Sequence, residues 1–445
     1  MQNPLFPNNN QEQQAILNSI GVKSFDELIC DLPKSKVYPE LKIADGLSEK
    51  QISTELSNII SKNKTIIPRR SFLGGGVYYR YVPSIVDYIS GRSEFYTAYT
   101  PYQPEMSQGT LIAIFEFQTY MAELTGMEIS NASLYDGATA LAESIIMSSR
   151  ISSKESKTFL IIGAIPPQYK KVLDSYNQGL NFTIKYIEDD DNIELDDSLS
   201  SIVLFYPNYF GQVMDYEKII SKAKQKGIGI IMGVINPLAL GIFKTPGEFG
   251  ADIVFGEAIS LGSYPSFGGP ALGFITTRKD FIRHIPGRIV GETNDKDGKI
   301  GYVLTFQTRE QHIRRERATS NICSNQGLMA LRTTLYLSSL GKEGFEELAY
   351  DIYEKTRLLK KSLATIKEFV IDKNISFQDV LVSSESISFD ELNQFLSEQN
   401  IHGGIVLSHQ DAYLDQLYLI SVNDFTTTED INDLVVAMKE FISEK

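Results

Sequence analysis

One short stretch of the chain concentrates side chains that can bind a small polar ligand. Residues 96–109 read YTAYTPYQPEMSQG, in which tyrosines are interspersed with prolines and no residue is positively charged. Proline fixes φ, so such a loop loses little conformational entropy when it meets a ligand or another chain. Tyr99, Thr100, Tyr102 and Gln103 are therefore candidate neutral hydrogen-bonding groups. The alternative is that the tyrosines only pack an interface between chains.

A second candidate is the turn YDGATALAE at residues 135–143, which leads into a predicted helix. The N–H groups at a helix N-terminus bind anions such as phosphate. Asp136 at the N-cap position would use those donors itself and would repel a phosphate. The sequence therefore favours a simple helix cap over an anion site.

A third candidate is the arginine-rich segment QTREQHIRRERATSNICSN, which contains Arg309, Arg314, Arg315 and Arg317. Guanidinium groups can bind a carboxylate or a phosphate, or pair with acids on another subunit. An exposed, charged helix face explains the same pattern equally well.

The elements that must position these segments fall into three parts. We expect a helical arm at residues 1–65, a large α/β domain at 66–325 and a small C-terminal α+β domain at 326–445. In the arm, SFDELI and LSEKQISTELSNIISK show patterns typical of short helices. These helices could pack locally or bind a partner subunit, and both interpretations fit. Between 158 and 276 helical patterns separate several β-rich runs: TFLII, FTIKYI, SIVLFY, IGIIMGV, ADIVFG and LGFITT. This alternation predicts βαβ units and a mostly parallel sheet.

A sheet enzyme of this layout could hold pyridoxal phosphate, which needs a lysine for the Schiff base and an acid for the pyridinium nitrogen. The lysine is expected just after a late strand, but residues 251–274 contain none. Asn236, an amide, stands at the preceding strand end, where the acid is expected. The sequence thus favours a chain without a cofactor site of its own. The alternative is a self-sufficient enzyme that uses Lys244 or Lys279, although we expect both lysines to lie on the surface.

Composition narrows the class of protein. Lys and Arg total 42 against 56 Asp and Glu, and the net charge of −14 argues against nucleic acid and anionic membranes as main partners. Cys30 and Cys323 are far apart and the histidines lack metal-site spacing, so we expect reduced thiols and no structural metal. The N-terminus has no signal-peptide pattern and no run reaches the length of a membrane span, so we expect a cytoplasmic protein.

Several long motifs, in the same order, resemble one family. They are SFLGGGVYYRYVP, TAYTPYQPEMSQG, EISNASLYDGATALAE, GADIVFGEAISLG, FGGPALGF and REQHIRRERATSNICSNQ. Together they resemble the glycine cleavage P proteins, and more narrowly subunit 1 (alpha) of the bacterial two-subunit form. The resemblance runs from IGVKSFDELICDLP past LGKEG at 340–344 and is weaker towards the C-terminus.

The resemblance implies the fold of fold-type I pyridoxal-phosphate enzymes and the activity of glycine dehydrogenase (aminomethyl-transferring, decarboxylating). The complete enzyme decarboxylates glycine and passes the aminomethyl group to the lipoyl arm of the H protein. Two alpha and two beta chains are implied, with the lysine and pyridoxal phosphate on the beta subunit. The alternative is a non-catalytic scaffold that only stabilises its partner or docks the H protein.

Under this resemblance, the loop at 96–109 is expected to face the beta subunit's site across the interface. Its neutral groups would suit the loss of a carboxylate as CO2, because a fixed cation would stabilise the ground state. The candidate substrate or interface residues are Tyr99, Thr100, Tyr102, Gln103, Arg317, Ser320 and Asn321.

Two positions depart from the family pattern. The family usually has an acidic residue and a histidine where this chain has Tyr79 and Arg80. Aspartate and glycine are common where it has Glu257 and Ala258. Neither change breaks the overall match.

Overall fold

The computed structural model describes residues 9–33, 36–37, 42–63, 65–188, 193–306, 311–318 and 320–444. The chain divides into two compact units, residues 1–65 and 66–445. The first contains α1 (Asn10–Ser19), α2 (Phe25–Leu28) and α3 (Glu49–Ile60). Ser24 caps α2, since its side chain accepts the N–H of Glu27. No residue of these three helices is buried.

The second unit contains the remaining elements. Up to the end of the large sheet they are α4 (Ser84–Ser90), α5 (Ser93–Tyr96), α6 (Gln108–Thr125), β1 (Ile129–Ser130), α7 (Gly137–Ile151), β2 (Thr158–Ile162), α8 (Pro167–Asn177), β3 (Thr183–Ile187), β4 (Leu199–Phe205), α9 (Glu217–Gln225), β5 (Gly229–Val234), α10 (Pro246–Phe249), β6 (Ile253–Glu257) and β7 (Gly273–Thr277). After them come β8 (Ile289–Asn294), β9 (Ile300–Thr305), α11 (Gln311–Arg314), α12 (Gly327–Leu363), β10 (Val370–Ile371), β11 (Asp379–Ser383), α13 (Phe389–Glu398), β12 (Ile405–Val406), β13 (Leu417–Ser421) and α14 (Thr428–Ser443).

The large sheet has seven strands in the order β1-β7-β6-β5-β4-β2-β3. Strands β3, β2, β4, β5 and β6 pair in parallel, and β7 runs antiparallel to both β6 and β1. The runs in β2, β4 and β6 are apolar throughout much of their length because these strands are buried on both faces. The mostly parallel sheet predicted from the six runs is confirmed. Three features follow the carboxyl ends of its strands and lie at that edge of the sheet: Asn236 after β5, the 258–272 connection after β6 and the start of α7 after β1.

A second, antiparallel sheet of order β10-β11-β13-β12 forms the C-terminal part together with α13 and α14. Helix α12 leads into it and is broken at Gly341, whose φ of 64° is left-handed. The α+β character expected for this part is therefore present, while the division at residue 325 stays a prediction. The antiparallel hairpin β8–β9 was not expected from the sequence.

Helices in the described part of the chain are all too short or too polar to cross a membrane. Over the same residues, no three histidine, cysteine or acidic side chains cluster as metal ligands would.

Candidate functional site

The loop at 96–109 lies between α5 and α6 on the surface of the second unit. Pro101 is buried and anchors the loop, whereas Tyr99 is 86% exposed and Tyr102 is 49% exposed. The Tyr102 N–H donates to the carbonyl of Thr100 at 2.8 Å, so the backbone turns tightly here. Gln108 holds the end of the loop against the hairpin, because its side-chain amide exchanges two hydrogen bonds with the backbone of Tyr302.

A cleft of about 290 Å³ opens beside this loop. We call it the loop cleft. Tyr99 and Thr100 line it, as the sequence suggested, but Tyr102 and Gln103 are not among its lining residues. The full lining is Phe95, Tyr96, Ala98, Tyr99, Thr100, Pro101, Thr110, Ala113, Ile114, Arg288, Ser324, Asn325, Gly327, Leu328 and Leu331.

A buried guanidinium stands in the loop cleft. Arg288, only 7% exposed, donates to Asn325 Oδ1 at 3.1 Å and to the carbonyl of Cys323 at 3.0 Å. A longer bond of 3.4 Å reaches the hydroxyl of Tyr102, and the guanidinium lies 5.7 Å from the centre of that ring. Tyr102 is thus fixed by a cation. The loop itself carries no cation, but the topology brings an arginine 186 residues away in the sequence to its side.

Three lining residues were not predicted from the sequence: Arg288, Ser324 and Asn325. The available signal was the run IPGRIVG, in which an arginine stands among apolar residues and glycine, a pattern that predicts a buried charge. Asn325 is held in place because its amide donates to the carbonyl of Ala132 and to the hydroxyl of Ser133.

The arginine-rich segment supplied three further candidate residues, which lie outside the loop cleft: Arg317, Ser320 and Asn321. Arg317 is exposed, with Glu316 at 3.9 Å as its ion-pair neighbour. Asn321 is exposed as well. The Ser320 hydroxyl accepts the N–H of Ile322 and also lowers the pKa of Glu143 by hydrogen bonding. Arg309 lies outside the described residues. Arg317, Ser320 and Asn321 do not line the loop cleft, and their contacts with another chain remain predictions.

The N-terminus of α7 is filled by the chain's own carboxylates. Asp136 caps the helix, since Oδ1 accepts the N–H of Thr139 at 2.7 Å, which confirms the simple cap favoured by the sequence. Glu257, at the end of β6, accepts three further N–H groups, from Gly137 at 3.0 Å, Ile259 at 2.9 Å and Leu272 at 2.8 Å. We call this arrangement the closed pocket.

Packing is close around Gly137 in the closed pocket. A Cβ at Gly137 would lie 2.2 Å from the hydroxyl of buried Tyr169 and 2.9 Å from Glu257 Cβ. Burial raises the pKa of Glu257, the three N–H donors oppose this, and the charge of Asp136 adds to the rise. Burial also raises the pKa of Tyr169, and the nearby charges of Glu257 and Asp136 raise it further. Any added anion would meet these two acids.

Asn236 is buried at the carboxyl end of β5 and its amide donates to Gln378 Oε1 at 2.8 Å. The same oxygen accepts a bond of 2.6 Å from Arg80, whose other terminal nitrogen pairs with Asp424 at 2.6 Å. A cation therefore lies near the position where an acid was sought. Arg80, which replaces the family's usual residue, is buried. It connects the start of the second unit to its C-terminal part through Gln378 and Asp424.

Comparisons with known proteins agree with the motifs. The family model described as "Glycine cleavage system P-protein" matches residues 4–438. The chain belongs to the glycine cleavage system P-protein family. This confirms the resemblance drawn from the sequence, and with it the enzyme class of glycine dehydrogenase (decarboxylating).

Among P-protein relatives, the probable glycine dehydrogenase (decarboxylating) subunit 1 of Thermomicrobium roseum is 42% identical and covers 98% of each chain. The subunit of the same description from Bacillus cereus strain B4264 is 43% identical over 97% of this chain and 98% of its own.

Solved structures confirm the fold. The crystal structure of a glycine decarboxylase (P-protein) in inhibitor-bound form is 34% identical, with a TM-score of 0.89 over 99% of this chain and 100% of that one. Glutamate decarboxylase of Lactobacillus brevis, 10% identical, has a TM-score of 0.65 over 95% of this chain and 97% of that one, and shows the fold alone. The fold is that of fold-type I pyridoxal-phosphate-dependent enzymes.

The P-protein family depends on pyridoxal phosphate, but the residues of this chain do not fit that group. Glu257 and Asp136 already accept the N–H groups of Gly137 and Thr139 at the start of α7, and Asn236 offers no carboxylate. Lys244 pairs with Glu217 and lies 4.6 Å from the centre of the Phe249 ring, and Lys279 is exposed after the end of β7. The closed pocket therefore argues against a self-sufficient enzyme built on either lysine.

Proposed function

We propose that this chain is the alpha subunit (subunit 1) of a two-subunit glycine dehydrogenase (decarboxylating) and that it completes a site whose pyridoxal phosphate is held by the beta subunit (subunit 2). The observation that carries the proposal is the closed pocket. A chain of this family that fills the anion-binding end of α7 with Glu257 needs another chain to supply the cofactor site.

The loop cleft is this chain's contribution to the shared site. Its stiff, exposed loop presents Tyr99 and Thr100, and Arg288 fixes the position of Tyr102. Exposed aromatic rings on a pre-ordered loop are suited to a subunit interface because little entropy is lost on assembly. Gln103 remains a candidate contact on the same loop, and Arg317, Ser320 and Asn321 remain candidate contacts with the partner.

The assembly that follows from this role has two alpha and two beta chains. Glycine is its substrate, and the lipoylated H protein accepts the aminomethyl group. The names of the relatives support a second subunit, since they are called subunit 1. Pyridoxal phosphate supplies the electron sink for decarboxylation, and this chain supplies groups that orient the ligand and shield it from water.

The first test is the visible absorbance of the purified chain with pyridoxal phosphate, alone and after co-expression with subunit 2, followed by exchange of labelled bicarbonate into glycine. We expect no Schiff-base band and no exchange from the chain alone, and both from the pair. Covalent cofactor binding and turnover by the isolated chain would overturn the proposal and direct attention to Lys244 and Lys279.

The scaffold alternative is tested by substitutions in the loop. If Tyr99→Phe and Tyr102→Phe change only the affinity between the subunits, and leave turnover and glycine affinity of the assembled enzyme intact, this chain is a scaffold.

A further inference from the structure

Arg288 has no acidic partner among the described residues. Its three hydrogen bonds go to an amide oxygen, a backbone carbonyl and a tyrosine hydroxyl. A guanidinium has five N–H groups, and the Nε–H of Arg288 is buried without an acceptor. The side chain therefore keeps both its full charge and unused donors inside the loop cleft.

Other inward-facing arginines of the chain are paired. Arg80, 3% exposed, forms an ion pair of 2.6 Å with Asp424. Arg332, which is half-buried, forms one of 2.7 Å with Asp87. A buried charge without a counter-charge is strongly destabilising, and the fold supplies one in both of these cases. Arg288 is the exception within the described part of the chain, and it lines the loop cleft.

The walls of the loop cleft suit a small anion. Among the described residues no Asp or Glu lines it, although the protein carries a net charge of −14. Besides Arg288, the lining residues with polar side chains are Tyr96, Tyr99, Thr100, Thr110, Ser324 and Asn325, all of them neutral. A volume of about 290 Å³ admits a small molecule.

We propose that Arg288 binds the carboxylate group of a small amino acid in the loop cleft. A carboxylate supplies the missing counter-charge and accepts the unused donors. The identity of this ligand as glycine rests on the proposed function. The binding of a small carboxylate by the isolated chain does not depend on the proposed function.

The charge of Arg288 has a kinetic consequence in the assembled enzyme. A cation stabilises an intact carboxylate more than one that is leaving as CO2, so Arg288 contributes to glycine affinity and not to acceleration of the decarboxylation. For Arg288→Gln in the assembled enzyme, we expect a KM for glycine raised tenfold or more and a kcat that does not fall. A lower kcat at unchanged KM would contradict the proposal.

The direct test uses the isolated chain and ligand-detected fluorine NMR. Fluoroacetate is the probe, and 2-fluoroethanol is the matched probe without a carboxylate. We expect saturable line broadening of fluoroacetate alone, reversed by glycine. Affinity should fall at least tenfold in Arg288→Gln and be partly kept in Arg288→Lys. The control Arg278→Gln, which removes an arginine paired with Asp252, should bind like the wild type.

A second variant keeps Arg288 in place in case Arg288→Gln does not fold. Ser324→Asp adds a carboxylate to the lining of the cleft, next to two residues that contact Arg288, and should abolish fluoroacetate binding in a folded chain. Absence of saturable binding to the wild type, or equal binding by Arg288→Gln and Ser324→Asp, would overturn the proposal. If the subunit pair shows no exchange activity but fluoroacetate binding still depends on Arg288, the proposed function fails and this inference stands.

Discussion

The closed pocket and the loop cleft each bury a charge, but only the closed pocket balances it within the chain. In the closed pocket, three backbone N–H groups surround Glu257, and added atoms would clash. In the loop cleft, Arg288 meets only neutral oxygens, and space remains beside it. The difference indicates a chain that has filled one potential anion site and left another open to a ligand or partner.

The largest effect is expected from crowding the closed pocket. In Gly273→Ala the new Cβ would lie 2.2 Å from the backbone oxygen of Asp136, which cannot move without distorting the start of α7. We expect a loss of about 3 kcal/mol in the free energy of unfolding, measured by urea denaturation.

The matched control lies beside the loop cleft. Gly109 is in the first turn of α6, and a Cβ there meets open space. Gly109→Ala should leave stability unchanged or raise it by up to about 1 kcal/mol. Equal loss in both variants would show that the closed pocket is not more tightly packed.

Removal of the internal anion should have the next largest effect. Glu257→Ala leaves the N–H groups of Gly137, Ile259 and Leu272 without an acceptor, and we expect a loss of about 2 kcal/mol or more. Glu257→Gln keeps one acceptor oxygen and should lose less. Urea denaturation measures both, with exposed Glu116→Ala as the control. Wild-type stability in Glu257→Ala would mean that the carboxylate does not hold the pocket closed.

A second buried carboxylate on α7 makes stability depend on pH. Burial raises the pKa of Glu143 from 4.5 to about 7, opposed by Ser320 and Arg150, and its Oε2 has no hydrogen-bond partner among the described residues. Because the folded state binds the proton more tightly, the stabilising contribution is complete below pH 4.5 and is lost as pH rises through about 7. At pH 8, Glu143→Gln should be more stable than the wild type by about 3 kcal/mol, at roughly 1.4 kcal/mol for each pKa unit.

Thermal and urea unfolding at pH 5 and pH 8 check this prediction. The gain from Glu143→Gln should shrink at pH 5, whereas exposed Glu116→Gln should show no such difference. A gain of the same size at both values would assign the effect to packing.

The smallest effect is expected from one hydroxyl beside the loop cleft. Tyr102→Phe removes the oxygen that accepts from Arg288 at 3.4 Å. In the assembled enzyme we expect kcat/KM for bicarbonate exchange to fall about tenfold, close to 1.4 kcal/mol, with stability unchanged. Tyr413→Phe, at a fully exposed ring, is the control. Unchanged turnover together with unchanged glycine affinity would exclude a catalytic role for Tyr102.

Much of the fold and part of the site could be predicted from sequence. The six β-rich runs became strands β2 to β7, Asp136 and Ser24 became helix caps, and the absence of a lysine from residues 251–274 was visible in the letters alone. These features are local, because alternation of apolar residues and the chemistry of caps act over a few positions. Arginine density, by contrast, left a binding site and an exposed charged face equally open, and the structure shows that the Arg317 side chain is exposed in this chain.

The sequence by itself determined the family, the strand and helix pattern and the missing Schiff-base lysine. Only the tertiary structure decided that Glu257 accepts the N–H of Gly137 at the start of α7. It also decided that Arg288 lies beside Tyr102 with no acidic partner among the described residues. Glu257 is 120 residues from Gly137, and Arg288 is 186 from Tyr102. Such contacts form because the sheet order gathers strand ends at one edge, where burial decides which charges must find a partner.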